Sequence, residues 1–117
     1  MSTDSSSEEA IVVFVTAPPG DPARAIARRL VDTQLAACVN IVMSVESVYR
    51  WQGQRCEEAE WLLMIKTRRP LFDRVAAEVK ALHSYTIPEI IALPLAMGSA
   101  DYLRWVRDST PVTVKNL

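Results

Sequence analysis

Residues 38–67 constrain the fold most, because their composition predicts one long β-hairpin. Valine, isoleucine, tyrosine and tryptophan recur in both arms, and these residue types fit a pleated, half-buried surface. Gly53, the only glycine between Gly20 and Gly98, is the natural turn, where a positive φ costs nothing. The first arm, at roughly 3.3 Å per residue, would approach 50 Å, far beyond the usual strand of about five or six residues. It must therefore bend at a bulge, or project and lie on another chain.

The remaining segments predict further strands and three helices around this hairpin. In chain order they are a strand at 11–15, a helix capped by Asp21 and ending near 34–36, the hairpin, a helix opened by Pro70, a strand at 90–96, a short helix capped by Ser99, and a short last strand at 111–114. Pro94 cannot donate to a ladder, so its strand should lie at an edge or carry a bulge. Residues 1–9 are expected to be a disordered tail, which leaves 10–117 as one domain.

The order of these elements predicts an α+β fold. A β-α-β-β-α-β chain with a short C-terminal helix is the ferredoxin-like, split βαβ arrangement, in which two helices pack on one face of an antiparallel sheet. Three of the predicted strands are apolar on both faces, yet two helices can cover only one face. Because monomers rarely expose large apolar surfaces, other copies of the chain should bury the second face, most simply in a closed cyclic homo-oligomer.

Composition narrows the possible partners and the compartment. The 117 residues carry a net charge of −1, so there is no electrostatic case for a nucleic-acid partner. The chain shows neither a signal-peptide pattern nor an apolar run long enough to span a bilayer, so no membrane partner is expected. The two cysteines form no CxxC pair, which favours free thiols in a reducing cytoplasm. A single histidine, no nucleophile elbow and three scattered glycines give no support for catalysis or for a phosphate-binding loop.

Three residues are candidate metal ligands. Cys38 begins a predicted strand in an apolar setting, and it is either a small buried hydrophobic residue or a soft ligand for copper. His83, the only histidine, is either a partner for helix-end carbonyls or a ligand together with Glu89. A zinc-like ion needs about four ligands, so a complete structural site within one subunit is not expected. A weak site, or one shared between subunits, is the open hypothesis.

Charged residues in or beside the apolar strands suggest a second feature. Glu60, Lys66 and Glu89 are either exposed at an edge or members of a partly buried, ion-paired cluster at a subunit interface. Glu60 and Lys66 also define a candidate intersubunit cleft, whose aromatic members are Trp51, Tyr85, Tyr102 and Trp105. Aromatic residues are equally common as interface anchors, so both interpretations of this group stay open.

The chain resembles the CutA family of divalent-cation tolerance proteins over residues 11–107. The resemblance rests on several motifs in the same order and spacing, which together are specific. They are Leu35-Ala-Ala-Cys-Val-Asn-Ile41, Val48-Tyr-Arg-Trp-Gln-Gly53, Glu60 before a strand ending Lys66-Thr67, His83-Ser-Tyr-Thr-Ile-Pro-Glu89, and Gly98 leading to Tyr102-Leu-Arg-Trp105. Two departures are Ser84, where the family often has proline, and Val15 with Val79, where some bacterial members have thiols.

This resemblance implies a stable homotrimer of ferredoxin-like subunits, with the sheets packed inward and the hairpins reaching onto neighbours. It also implies binding of copper or other divalent metal ions, a role in the response to metal, and an architecture shared with the PII signalling proteins. Two alternatives follow from the same resemblance and composition. The chain could be a PII-like sensor of a small anionic metabolite at the subunit interface, or a structural trimer that binds a partner protein.

Overall fold

The computed structural model describes residues 9–111, so residues 1–8 of the tail predicted at 1–9, and most of the predicted last strand, lie outside the described residues. Glu9, the last residue of that predicted tail, accepts a backbone hydrogen bond from Arg69 and forms an ion pair with it. Over this range the elements are β1 (Ala10–Ala17), α1 (Asp21–Asp32), β2 (Cys38–Trp51), β3 (Gln54–Arg68), a 3-10 turn (Arg69–Leu71), α2 (Phe72–Leu82), β4 (Ile90–Pro94) and α3 (Ala100–Ser109). All strand pairs are antiparallel, and the sheet order is β2-β3-β1-β4. This is the split βαβ arrangement, so the predicted α+β, ferredoxin-like fold is confirmed.

Several element ends differ from the sequence prediction. Helix α1 ends at Asp32, because Gln34 adopts a φ of 61° and the amide of Leu35 bonds back to the carbonyl of Leu30. This Schellman motif stops the helix without a glycine. At the other end Gly20 occupies the N-cap, and Asp21 is already helical.

The segments around two prolines also differ. Pro70 lies in the 3-10 turn, so α2 itself begins at Phe72. Strand β4 ends at Pro94 rather than at residue 96. It pairs with β1 alone and forms one edge of the sheet, which is where the sequence placed a proline-containing strand.

The main core lies between the sheet and helices α1 and α2. Alternate residues of β1 and β3 point into it, and they include Val13, Val15, Leu63 and Ile65, all fully buried. Thr67 is also fully buried, and its hydroxyl donates to the carbonyl of Leu35 at 2.7 Å. Two helices therefore cover one face of the sheet, as predicted.

We define the open face as the other side of the sheet, which carries the intervening residues of each strand. Helix α3 covers one corner of it, where Val12 and Val106 are buried and the Arg68 side chain bonds to Thr110. The rest of the face is bare. Its most exposed apolar side chains lie on β2 and β4, and their exposed fractions are 41% for Val42, 53% for Ile91 and 52% for Leu93.

The hairpin of β2 and β3 extends beyond the rest of the sheet, and the described chain measures 52 × 27 × 24 Å. A register shift between Val42 and Val45 gives the bulge that the long arm required. The bulge moves the alternation of β2 by one residue, so Tyr49 and Trp51 share the open face with Cys38. Gln52 and Gly53, with φ of 52° and 78°, form the two-residue turn.

Replacing Gly53 with alanine should lower the free energy of unfolding by about 1 kcal/mol, because a Cβ is disfavoured at positive φ. No atom lies within 4 Å of the added Cβ, so the loss is conformational rather than steric. Gly53→Asn is the matched control and should lose less, since asparagine tolerates this region. Urea unfolding of the three proteins checks the prediction, and equal losses for the two variants would contradict it.

Candidate functional site

The candidate cleft residues of the hairpin strands share the open face but form two separate groups. The even-numbered residues of β3 lie on this face, and they include Lys66 and Glu60. Six residues separate the two, or about 20 Å along a strand. One subunit therefore does not bring Lys66 and Glu60 together. We call the group around Cys38 and Lys66 the α3 corner, and the group around Glu60 the hairpin group.

The α3 corner is centred on a cross-strand pair, Cys38 opposite Lys66. The side-chain oxygen of Asn40 accepts from the Lys66 ammonium, and the Cys38 thiol lies 3.8 Å from the same oxygen. Tyr102 and Trp105 complete the corner from α3, with ring centroids 5.5 Å apart. Partial burial, and then the nearby Cys38 thiol, raise the pKa of Tyr102 above its usual value.

The hairpin group is built around a buried carboxylate. Glu60 is only 5% exposed, and its Oε2 accepts from the Tyr85 hydroxyl at 2.8 Å. Burial, and then this hydrogen bond, raise the pKa of Tyr85. Further along the hairpin the Tyr49 hydroxyl donates to Glu58 at 2.8 Å, which raises the pKa of Tyr49 to about 12. A tyrosine must keep its proton to donate a hydrogen bond. Each phenol therefore stabilises its carboxylate partner only while the phenol itself is protonated.

Of the two alternatives for Glu60, Lys66 and Glu89, an ion-paired cluster does not form within the described part of one subunit. Glu60 bonds to a phenol, and Lys66 bonds to an amide oxygen. Neither residue takes part in an ion pair there. Glu89 is exposed, in the segment before β4. Trp51 lies at the tip of the hairpin opposite Gln54, far from both Lys66 and Glu60.

His83 is held by hydrogen bonds at both ring nitrogens. Its Nε2 lies 2.7 Å from the carbonyl oxygen of Thr16, which can only accept, so Nε2 carries the proton. Its Nδ1 then accepts from the amide of Tyr85 at 3.1 Å. The imidazole therefore ties the segment after α2 to strand β1, and it also contacts the Tyr85 ring, with centroids 4.5 Å apart. A metal ion could bind His83 only by displacing one of these bonds.

The three candidate metal ligands lie in different places. Cys38 belongs to the α3 corner, His83 bonds to β1, and Glu89 is exposed before β4. Within residues 9–111 no group of three or more histidine, cysteine or acidic side chains is arranged to hold a metal ion. The described part of one subunit therefore does not bring these three ligands to one point. Cys56, on β3, is also a free thiol.

A cleft of about 270 Å³ at the base of the hairpin was not predicted from the sequence. Its lining carries four carboxylates, from Glu46, Glu57, Glu58 and Glu60. The signal in the sequence is the pair Glu58 and Glu60, because alternate residues of a strand reach the same face. The sequence analysis also did not single out Asn40, a polar residue two positions after Cys38 on the same face of β2.

Among residues 9–111, no helix is long and apolar enough to cross a membrane.

Comparison with known proteins gives a consistent result. Residues 11–109 match the family model described as CutA1 divalent ion tolerance protein. A relative named divalent-cation tolerance protein CutA, from Thermus thermophilus, is 52% identical over 99 residues, which cover 85% of this chain and 96% of the relative. A rice relative, a chloroplastic CutA 1 protein, is 46% identical over 110 residues, but the chain spans only 62% of its length.

Solved structures give the same match at the level of the fold. The T. thermophilus divalent cation tolerance protein superposes with a TM-score of 0.84 at 50% identity, covering 86% of this chain and 98% of that one. The rice CutA1 crystal structure superposes with a TM-score of 0.85 at 46% identity, covering 90% and 96%.

Tyr85→Phe should lower the free energy of unfolding by about 1.5–3 kcal/mol at pH 8, since it removes a hydrogen bond to a buried carboxylate. The folded-state pKa of Tyr85 is raised, so its stabilisation is complete below pH 10 and is lost as the pH rises through that pKa. The difference between wild type and variant should therefore shrink above pH 10.

Urea unfolding at pH 8 and pH 11 measures both effects. Tyr102→Phe is the control, because within residues 9–111 Tyr102 bonds through its main-chain amide, to Ser99, and not through its hydroxyl, so the variant should lose little at pH 8. If the loss of unfolding free energy in Tyr85→Phe stays constant or grows with pH, the hydrogen bond from Tyr85 to Glu60 is not its cause.

Proposed function

The chain belongs to the CutA1 divalent ion tolerance family, and from that premise we propose that it works as a homotrimer that binds copper or another divalent metal ion between subunits. The observation that carries the proposal is the open face, where exposed apolar side chains share one side of the sheet with the Cys38 thiol and the carboxylates of Glu58 and Glu60. A role in divalent-cation tolerance is what the names of the relatives state for those proteins.

The trimer is supported by the surface that one subunit leaves bare. Val42, Ile91 and Leu93 are each at least two-fifths exposed, and they lie on the sheet rather than scattered over the molecule. Half-buried Phe14 and Met64 lie between them on the central strands, and an apolar sheet face of this kind is typical of protein interfaces. A closed ring of identical subunits covers it with one repeated contact, and the extended hairpin can reach the next subunit in such a ring.

Metal binding between subunits is supported by the donors available. No three-donor group occurs in the described part of one subunit, so a second subunit would have to complete any site. The Cys38 thiol is a soft donor that suits copper, whereas the carboxylates of the hairpin cleft suit harder divalent ions. His83 and Glu89 are further candidate ligands, although His83 would first have to give up a hydrogen bond.

Two other functions stay as alternatives. A sensor of a small anionic metabolite is favoured by the Lys66 ammonium, which forms no ion pair among residues 9–111. A structural trimer that binds a partner protein would need the open face for assembly, but no metal ligand. No catalytic role is proposed, because this is a divalent-cation tolerance family rather than a known enzyme family. We also propose a cytoplasmic location, supported by the two free thiols.

Ile91→Asp should break the trimer, because it places a charge in the proposed interface without disturbing the subunit core. Val31→Asp is the matched control, since Val31 is similarly exposed at 42% but lies on α1, away from the open face. Light scattering after size-exclusion chromatography measures the mass of each variant. A trimeric mass for Ile91→Asp, or an equal loss of mass for both variants, would contradict the proposed interface.

Copper binding should depend on Cys38 and not on Cys56. Cys38→Ser should weaken binding on the order of tenfold or more, the loss typical even of residues next to a metal ligand. Cys56→Ser, which removes the other half-exposed free thiol, should bind as the wild type does. Calorimetric titration of the reduced proteins with copper makes the comparison. If the wild type takes up no copper, or if both variants bind equally, Cys38 is not a ligand.

A further inference from the structure

The charged side chains of the open face are divided between its two ends. The strands place four of them on this face, with Glu58 and Glu60 towards the hairpin turn and with Lys66 and Arg68 at the opposite end of β3. Arg68 is held by Thr110, just after α3. The residues of β3 that separate the two pairs on this face are a leucine and a methionine. The open face therefore has an acidic end and a basic end, with apolar surface between them.

Lys66 and Glu58 each have a neutral hydrogen-bond partner and no ion pair within residues 9–111. The Lys66 ammonium donates to the amide oxygen of Asn40, and the Glu58 carboxylate accepts from the Tyr49 hydroxyl at 2.8 Å. Lys66 and Glu58 are eight residues apart along β3, or roughly 26 Å. The two charges therefore do not meet within one subunit.

Assembly changes what both charges require. In the proposed trimer neighbouring subunits cover the open face, and Lys66 is already half-buried on it. A charge that is removed from water is costly unless an opposite charge pairs with it. The strands offer two acids on the same face, but Glu60 is only 5% exposed and is closed off by Tyr85. Glu58 is exposed, so it is the acid of this face that another chain can reach.

The position of Glu58 also suits contact with another chain. Strand β1 ends opposite Trp61, so over 45–60 the sheet narrows to β2 and β3 alone. Glu58 lies on this two-stranded extension, which projects beyond the rest of the sheet. The acids of α3 are already engaged, since Asp101 and Asp108 each pair with an arginine of the same helix. Glu58 is therefore the acidic group best placed to meet the basic end of a neighbouring subunit.

We propose that Glu58 of one subunit pairs with Lys66 of the next, so that the two-stranded extension of each chain completes the α3 corner of its neighbour. The inference rests on the proposed trimer and deepens it by naming the residues that meet across the contact. Asn40 and Tyr49 hold the two side chains in place without neutralising either charge. The contact joins the acidic end of one face to the basic end of another. A head-to-tail contact of this kind closes into a ring when it is repeated.

Reversal of the two charges tests the pair. Lys66→Glu should weaken assembly on the order of a hundredfold, because it opposes two carboxylates across the contact, and Glu58→Lys should do the same with two ammonium groups. The double variant restores opposite charges in exchanged positions, so it should recover most of the trimer. Light scattering after size-exclusion chromatography, over a series of protein concentrations, measures the mass of each protein.

Glu57→Lys combined with Lys66→Glu is the matched control. Glu57 is next to Glu58 but lies on the other face of β3, where it pairs with Arg55 at 3.1 Å. This combination should remain as dissociated as Lys66→Glu alone. Lys66→Arg, which keeps the charge, should assemble as the wild type does. Because positions 58 and 66 are roughly 26 Å apart within a chain, rescue of one by the other reports a contact between chains and not a local effect on folding.

Two kinds of result would overturn the pair, and they are distinguishable from each other. If the wild type is a trimer but Lys66→Glu assembles equally well, stays dissociated when Glu58→Lys is added, or is rescued equally by Glu57→Lys, the pair is wrong and the trimer stands. If the well-folded wild type has the mass of a single chain, the proposed trimer fails and the pair fails with it.

Discussion

A sheet whose two main helices cover only one of its faces is the constraint on which the rest of the structure depends. The covered face is a conventional core of fully buried aliphatic side chains such as Val13 and Leu63. The opposite face is also apolar, yet α3 shields only its corner over Val12. Burial of apolar surface is the dominant favourable term in folding, so we propose that other copies of the chain cover this face. In our proposal, assembly and metal binding both involve that second face.

Strand register determines which side chains reach the open face. Strand β3 runs without a shift, so Lys66, Glu60 and Cys56 all lie on it. Strand β2 would place Trp51 on the opposite side from Cys38 if it ran without interruption, and the bulge after Val42 corrects this. This single bulge thus places the aromatic residues near the hairpin tip on the same face of the sheet as Cys38. The electrostatic character then changes along the strand, from the Lys66 ammonium at one end to the carboxylates of Glu58 and Glu60 further along.

Sequence reasoning predicted the elements well and the site only in part. Alternating and continuous apolar runs specify β1, the hairpin and the order of elements, because those patterns reflect burial directly. The end of α1 was wrong, since Gln34 takes a left-handed conformation that a glycine would have signalled. His83 was considered either a partner for helix-end carbonyls or a metal ligand, whereas its imidazole bonds to the carbonyl of Thr16 on β1. Lys66 and Glu60 were grouped by residue type, whereas their separation depends on strand length and register. The Tyr85 hydrogen bond to Glu60 joins segments distant in sequence, so no local pattern contains it.

Coupling between folding and assembly tests the central claim most directly. If the open face is completed by identical subunits, unfolding releases separate chains, and mass action makes the stability depend on protein concentration. Urea unfolding of the wild-type protein, followed by circular dichroism at several protein concentrations, should give a midpoint that rises with concentration, with no folded species of one 13.1 kDa chain. A midpoint that does not change with concentration, together with a well-folded single chain in dilute solution, would contradict the account.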